Sequence, residues 1–221
     1  MTNIVDIIRT KKVILWDFDG CFCDSEPIHF EAYKKAFAQF KHTINEKEYY
    51  NTFTHTGGGI AKEIENYKLS CPPAEIRKLK NQFYHELIRS GKAQLFSQIP
   101  KIIQTLTKMG IKSVIASNSP KEEISEILSH IKDDLPISEI FGLLPDLRKK
   151  PHPDIFNYAL DKLGIAPQDA LVVEDSERGL TAAKSAHCQA LWVKTYITER
   201  FETNEPHLAK LTHQEILDLL L

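Results

Sequence analysis

Residues Val13–Glu26 read VILWDFDGCFCDSE, an apolar run that delivers two aspartates, Asp17 and Asp19, into a glycine turn. Four consecutive apolar or aromatic residues, Val13 to Trp16, predict a strand covered on both faces, because a parallel strand between two helix layers has no polar side. Gly20 ends the run. Asp17 and Asp19 are two apart, so they share a direction while strand geometry lasts and both carboxylates can address one ligand. Two like charges that close repel unless something neutralises them. A divalent cation would do so, and phosphate chemistry commonly supplies one. A solvated acidic turn has the same short pattern, so the rest of the chain has to decide.

A chain of 221 residues can bury a substantial core, as one large domain or as a core with a smaller insert. Its net charge of −2, with acidic and basic residues interspersed, lacks the basic footprint of a nucleic-acid binder; a small or mixed-charge substrate fits better. The N-terminal MTNIVDIIRTKK has no long apolar core ahead of a small-residue cleavage site, and no stretch approaches the roughly 18 apolar residues of a membrane span. A soluble, cytoplasmic protein with no membrane partner is expected. Cys21, Cys23, Cys71 and Cys188 form no CxxC pair, which argues against a zinc site or a disulfide framework and for reduced packing thiols.

Helical spacing runs from Pro27 to Phe40 and again over Glu46–Thr54, Ile60–Leu69 and Pro73–Arg89, with no convincing strand between them. This helical stretch lies between the strand at VILW and, after a helix at Pro100–Met109, the strand Lys112–Ala116, KSVIA. It therefore reads as an insert. From there strand and helix alternate: Lys121–Ile131, Pro153–Leu163 and Ser176–Ser185 as helices, Ala170–Val173 and Ala190–Val193 as strands. Such alternation implies an α/β fold, a Rossmann-like parallel sheet flanked by helices, with ligands bound where strands end and helices begin. The apolar C-terminal segment, with Leu208, Leu211, Ile216, Leu217, Leu219 and Leu220, predicts a helix docked on the core.

Three further constellations fall at such strand ends. Ser117-Asn118-Ser119-Pro120 places small hydroxyl and amide groups ahead of a helix, a setting that suits an oxyanion. Lys149-Lys150-Pro151-His152-Pro153-Asp154 stiffens the approach to the next helix so that Lys150 can be held as a fixed positive charge. His152 has no evident partner and is expected to be structural or exposed. Leu171-Val172-Val173-Glu174-Asp175-Ser176 repeats the opening theme, an apolar strand ending in carboxylates, and Mg²⁺ takes oxygen ligands of this kind. Glu174 and Asp175 diverge if extended, so only one of them need ligate a metal directly.

DFDG, SNS, KPHPD and EDS, in this order and spacing, resemble the haloacid dehalogenase-like hydrolases, in particular the phosphatases and β-phosphoglucomutase-like members with a small helical cap after the first strand. The resemblance implies a catalytic core at 1–23 and 92–221 and a helical cap at 24–91 that closes over the site. It implies Asp17 as nucleophile and Asp19 as the acid that protonates the leaving oxygen and then activates water. Ser117 and the Asn118 amide would hold phosphoryl oxygens, and Lys150 would steady nucleophile and phosphate. Mg²⁺ would sit on Asp17, the Asp19 carbonyl and Asp175, with Glu174 ligating it or orienting its water. His29 and Lys80 occupy places resembling those of polar cap residues, and Gly57-Gly58-Gly59 gives a cap turn that could approach a ligand. The implied activity is hydrolysis of a small phosphomonoester, of phosphosugar or phosphoglycolate type, through an aspartyl-phosphate, by a monomer or small homo-oligomer. A phosphosugar mutase is the alternative, but the arginine that mutases carry after the cap glycine is replaced by Ile60 and Ala61. A non-catalytic binding protein would have lost catalytic residues, and all are present. Cys21 and Cys23 stand where Thr or aliphatic residues are usual, and Ala186-His187 stands where Ala-Gly is usual, so a left-handed backbone is expected at His187.

Overall fold

The computed structural model describes residues 4–55, 59–199 and 201–221. The chain divides into two compact units, Met1–Asp24 with Leu95–Leu221, and Ser25–Gln94. Among the described residues the first unit contains, in chain order, α1 (Ile4–Arg9), β1 (Val13–Trp16) and β2 (Cys23–Asp24). The second unit follows with α2 (Glu26–Ala38), α3 (Glu46–Tyr49), a π-helical segment at Tyr50–His55, α4 (Gly59–Tyr67) and α5 (Pro73–Arg89). After the short β3 (Gln94–Leu95) the first unit resumes with α6 (Ile99–Lys108), β4 (Lys112–Ala116), α7 (Lys121–Ser129), β5 (Ile137–Phe141), α8 (Asp154–Leu163) and β6 (Ala170–Glu174). It ends with α9 (Glu177–Ser185), β7 (Gln189–Val193), β8 (Lys210–Leu211) and α10 (His213–Leu220).

Six strands form one parallel sheet in the order β5-β4-β1-β6-β7-β8. The continuous apolar runs are explained by cover on both faces. Val13, Leu15, Val114, Ala116, Val172 and Trp192 pack on one side with Phe156 and Leu160 of α8 and Leu180 and Ala183 of α9. The residues of opposite parity, Ile14, Trp16, Leu171, Val173 and Leu191, meet Ile8 of α1, Leu106 of α6 and Ile216 and Leu220 of α10 around a narrow apolar gap. Because β1 lies between β4 and β6, with Trp16 level with Ile115 and Val173, the chain emerging from all three strands arrives at the same sheet edge. That edge is the topological switch point, where α/β sheets bind ligands.

Two expectations need correction. β5 and β8 were absent from the alternating pattern. β5, sequence ISEIF, is an outer strand whose Ser138 and Glu139 are exposed, so it lacks the unbroken apolar signature of the inner strands. The expected helix over Glu46–Thr54 is α-helical only to Tyr49 and continues as the π-helical segment. His187 does take a left-handed backbone, with φ of 59°. His152 is exposed, and the four cysteines are free and buried. No helix among the described residues is long and apolar enough to cross a membrane.

The second unit is built on α2 and α5 around Phe37, Ile44, Tyr49, Ile60 and Ile76. Gly57 and Gly58 lie outside the described residues; Gly59 opens α4.

The C-terminal helix does more than cover the sheet. His213, buried at its first turn and stacked on Phe96, donates from Nε2 to the carbonyl of Cys21, two residues past Asp19. Burial holds its pKa below the ordinary histidine value, against the opposing pull of that hydrogen bond. The unfolded chain, titrating near pH ~6.5, therefore takes up a proton before the folded one does. The stabilisation from His213 is complete above about pH 6.5 and is lost as the pH falls below it. Urea unfolding at about pH 7.5 and 5.5 should show a larger acid-side loss for wild type than for His213→Gln, which retains an N–H donor but does not titrate. Equal losses would remove His213 as the source.

Candidate active site

Asp17 follows β1 directly and keeps its strand register, its N–H donating to the carbonyl of Val173 at 2.9 Å. The next residues turn back on themselves: Phe22 and Cys23 both donate to the carbonyl of Phe18, and Gly20 donates to that of Cys23. Gly20 sits at φ 75°, and a Cβ there would stand 2.4 Å from Oδ2 of Asp175. The turn thus needs glycine twice, for its backbone and for the carboxylate beside it.

Lys150 reaches the same point from the loop before α8. Its Nζ lies 2.5 Å from Oδ1 of Asp17 and 2.6 Å from Oε1 of Glu174, with 3% of the residue exposed. Burial alone would lower the lysine pKa, but the two carboxylates outweigh it and raise it, so Lys150 remains a cation. Burial, followed by the charge of Glu174, pushes Asp17 up to about 7, against the pull of Lys150.

The backbone of Lys150 is fixed by neighbours the spacing did not reveal. Asn118 Oδ1 accepts its N–H at 3.0 Å, and Arg178 donates to its carbonyl at 2.7 Å. Ahead of α8, Arg148 forks onto Asp154 at 2.9 and 3.0 Å, which holds the Asp154 carboxyl down at about 2.

Glu174 is fully buried. Beyond Lys150, its Oε2 accepts from the N–H groups of Asp175 and Ser176 and from the Ser176 hydroxyl, while Ser176 Oγ caps α9 by accepting from Gly179. Glu174 therefore works first as the anchor for Lys150 and for the start of α9. Even so, Asp17, Glu174 and Asp175 each bring a carboxylate oxygen within 4.8 Å of the others. The divergence expected of Glu174 and Asp175 is overcome because the chain leaves strand geometry after Glu174. Trp192 holds the turn from the next strand, donating from Nε1 to the Asp175 carbonyl at 3.0 Å. Three carboxylates carry more negative charge than Lys150 balances, and hard oxygen donors in such a cluster fit Mg²⁺.

At the end of β4, Ser117 is buried and its Oγ accepts the N–H of Ser119 at 3.1 Å, leaving its own proton to donate elsewhere. The Asn118 side-chain oxygen is committed to Lys150, which leaves its main-chain N–H and its side-chain NH₂ as donors for the expected anion role. Asp19 receives a hydrogen bond from the Ser119 hydroxyl. Asp17, Asp19, Ser117, Asn118, Lys150, Glu174 and Asp175 all belong to the first unit. His29 and Lys80 belong to the second, where with Glu26, Tyr33, Tyr49, Phe53 and Gly59 they line a pocket of about 250 Å³. There the His29 ring stacks on Tyr84 and the Lys80 ammonium lies over the same ring, 4.3 Å from its centroid.

The sequence profile of the haloacid dehalogenase-like hydrolases matches residues 14–193. The chain is 31% identical to protein CbbY of Rhodobacter capsulatus over 79% of its own length and 82% of the relative's. It is 25% identical to a phosphoglycolate phosphatase of Shigella sonnei over 94% of this chain and 90% of that one. A crystal structure of a mutant CbbY from Rhodobacter sphaeroides in complex with xylulose-1,5-bisphosphate superposes with a TM-score of 0.76 at 25% identity, covering 94% of this chain and 96% of that one.

The fit between Gly179 and Glu174 gives a direct test of the anchor. A Cβ on Gly179 would stand 1.8 Å from the Glu174 carboxyl carbon, and that carboxylate could yield only by giving up its hydrogen bonds to Lys150 and to the Asp175 and Ser176 N–H groups. Gly179→Ala should cost about 1–3 kcal/mol in urea unfolding, as expected of an overpacked buried position. An unchanged midpoint would mean that the Glu174 carboxylate has somewhere else to go.

Proposed function

The chain belongs to the haloacid dehalogenase-like hydrolases, and we propose that within this family it is a Mg²⁺-dependent phosphatase of small phosphomonoester metabolites, working through an aspartyl-phosphate. The observation that carries the reading is the buried Asp17 carboxylate in contact with the Lys150 ammonium, beside an acidic cluster. A carboxylate so placed is a nucleophile held against a fixed cation, and phosphoryl transfer asks a protein mainly for positioning and charge stabilisation.

In this reading Asp17 attacks phosphorus in line, while Asp19 gives a proton to the departing alcohol oxygen and later takes one from water. The Ser117 hydroxyl and the Asn118 main-chain N–H donate to phosphoryl oxygens. Lys150 faces the charge that spreads over those oxygens. Asp17, Asp175 and the Asp19 carbonyl would hold Mg²⁺, with Glu174 beside them; when bound, the ion would offset the excess negative charge and draw the phosphate toward Asp17. Substrate choice is assigned to the polar pocket of the second unit, where Lys80 and His29 suit an anionic or hydroxylated molecule. Phosphosugar and phosphoglycolate chemistry is supported by the relatives, one named for phosphoglycolate and another crystallised with a sugar bisphosphate.

Phosphate release from a panel of phosphosugars and phosphoglycolate, with and without Mg²⁺, tests the proposal. Release should require Mg²⁺ and should fall by about 10⁴-fold or more in Asp17→Asn, where a near-isosteric amide replaces the nucleophile. Undiminished turnover in that variant would rule out Asp17 as nucleophile, and absence of release from every ester would sink the phosphatase assignment.

A further inference from the structure

The Ser119 hydroxyl donates a hydrogen bond to Oδ2 of Asp19, a residue 100 positions earlier in the chain. Serine just ahead of a helix ordinarily caps it, but α7 has Pro120 at its N-cap and no side-chain cap at all. The hydroxyl is turned to the aspartate instead.

The main chain of Ser119 is tied down on both sides. Its N–H donates to Ser117 Oγ at 3.1 Å, and its carbonyl accepts from Leu143 N–H at 3.0 Å. Gly142 presses on the same loop: a Cβ there would stand 2.8 Å from the Ser119 carbonyl oxygen and 2.2 Å from the Lys121 backbone nitrogen. Ser117 is in turn held by the carbonyl of Phe141, the last residue of β5. Three backbone ties therefore fix the height of Ser119 above the sheet edge. The hydroxyl is not needed for any of them.

Resting on the phosphatase reading above, we propose that Ser119 is the positioning residue for Asp19, reserving Oδ2 as an acceptor so that the transferred proton is carried on Oδ1. An aspartate in a glycine turn has two side-chain torsions to settle, and an unoriented carboxyl samples rotamers in which neither oxygen meets the substrate. A donor fixed on Oδ2 serves both protonation states. In the acid, Oδ2 is the carbonyl oxygen and accepts, so the proton resides on Oδ1. In the carboxylate, Oδ2 accepts again and Oδ1 faces the proton it will take.

Both half-reactions then run through one oxygen. In the first, an Asp17 oxygen bonds to phosphorus, the ester P–O bond breaks, and the Oδ1 proton passes to the departing alcohol. In the second, water attacks phosphorus, Oδ1 takes its proton, and the bond from phosphorus to Asp17 breaks, releasing inorganic phosphate and restoring both aspartates.

The test compares kcat/KM for a phosphorylated alcohol, such as a sugar phosphate, with that for p-nitrophenyl phosphate, in wild type, Ser119→Ala and Ser119→Thr. This parameter reports the steps through loss of the leaving group, and an alkoxide needs proton donation far more than a nitrophenolate does. Ser119→Ala should lower the ratio of sugar-ester to aryl-ester kcat/KM about tenfold, at an unfolding midpoint close to that of wild type. Ser119→Thr, which keeps the hydroxyl, should restore the ratio. An equal loss on both esters, no loss on either, or a Thr variant as impaired as Ala would overturn the assignment while leaving the phosphatase reading intact. A wild-type enzyme inactive on both esters, or an active Asp17→Asn, would instead overturn the phosphatase reading and this one with it.

Discussion

Everything at the sheet edge turns on one buried ammonium, that of Lys150 between Asp17 and Glu174. Removing a lysine from water is costly, and the cost is offset only if oppositely charged partners stand close and the remaining polar atoms are satisfied. The surrounding residues meet both conditions. Glu174 is itself held by two backbone N–H groups and the Ser176 hydroxyl, so its carboxylate cannot turn away from the lysine. Asn118, in the loop after β4, and Arg178, in the first turn of α9, clamp the lysine's peptide N–H and carbonyl. Gly179 leaves the space in which the Glu174 carboxyl lies. Breaking a pair of this kind typically costs about 3–5 kcal/mol because one charge is left buried alone. A lysine so tightly bound to its acids also cannot lose its proton in the working range, which suits a fixed electrostatic role better than a proton-transfer one.

The sheet explains why the contributing loops meet. β1 is flanked by β4 and β6, in register, so that Asp17, Ser117 and the Glu174–Asp175 pair leave three neighbouring strands at one level. Supports arrive from farther out as well. Trp192 on β7 holds the Asp175 carbonyl, and His213 on α10 holds the Cys21 carbonyl. The C-terminal helix thus reaches the turn that carries Asp19, so a helix readable only as apolar cover also fixes part of the backbone of the candidate site.

What the sequence discloses follows from how much of each feature is local. The inner strands β1, β4, β6 and β7 were legible because burial on both faces leaves an unbroken apolar run. β5 was not, since an exposed outer strand need only alternate, and β8 has two residues. The four motifs stood out because each combines strand, turn and helix start within a few residues, and the resemblance to a known family rests on their order. The work of Asn118, Arg178, Ser119 and His213 was hidden for the opposite reason. Each acts on a residue from another loop, and no spacing in a single chain encodes which loops will touch. The anchoring of Lys150 by Glu174 was hidden too, because a carboxylate that anchors a lysine and one that would face a metal look alike in a sequence.

A division of labour follows from where these residues lie. Each residue assigned to phosphoryl chemistry is in the first unit, where side chains from other elements hold the site's backbone, Asn118 and Arg178 at Lys150 and Trp192 at Asp175. The second unit has a different character. Its core is rich in aromatic rings, Tyr33, Tyr49 and Phe53 among them, and the same rings wall a pocket whose polar members are Glu26, His29 and Lys80. Aromatic walls with a few charged groups can be re-lined without disturbing a parallel sheet, whereas a change at Lys150, Glu174 or Gly179 propagates through a network with little slack. Divergence among relatives that share the reaction is therefore expected to concentrate on the pocket of the helical unit, and constancy on the loops that end β1, β4 and β6.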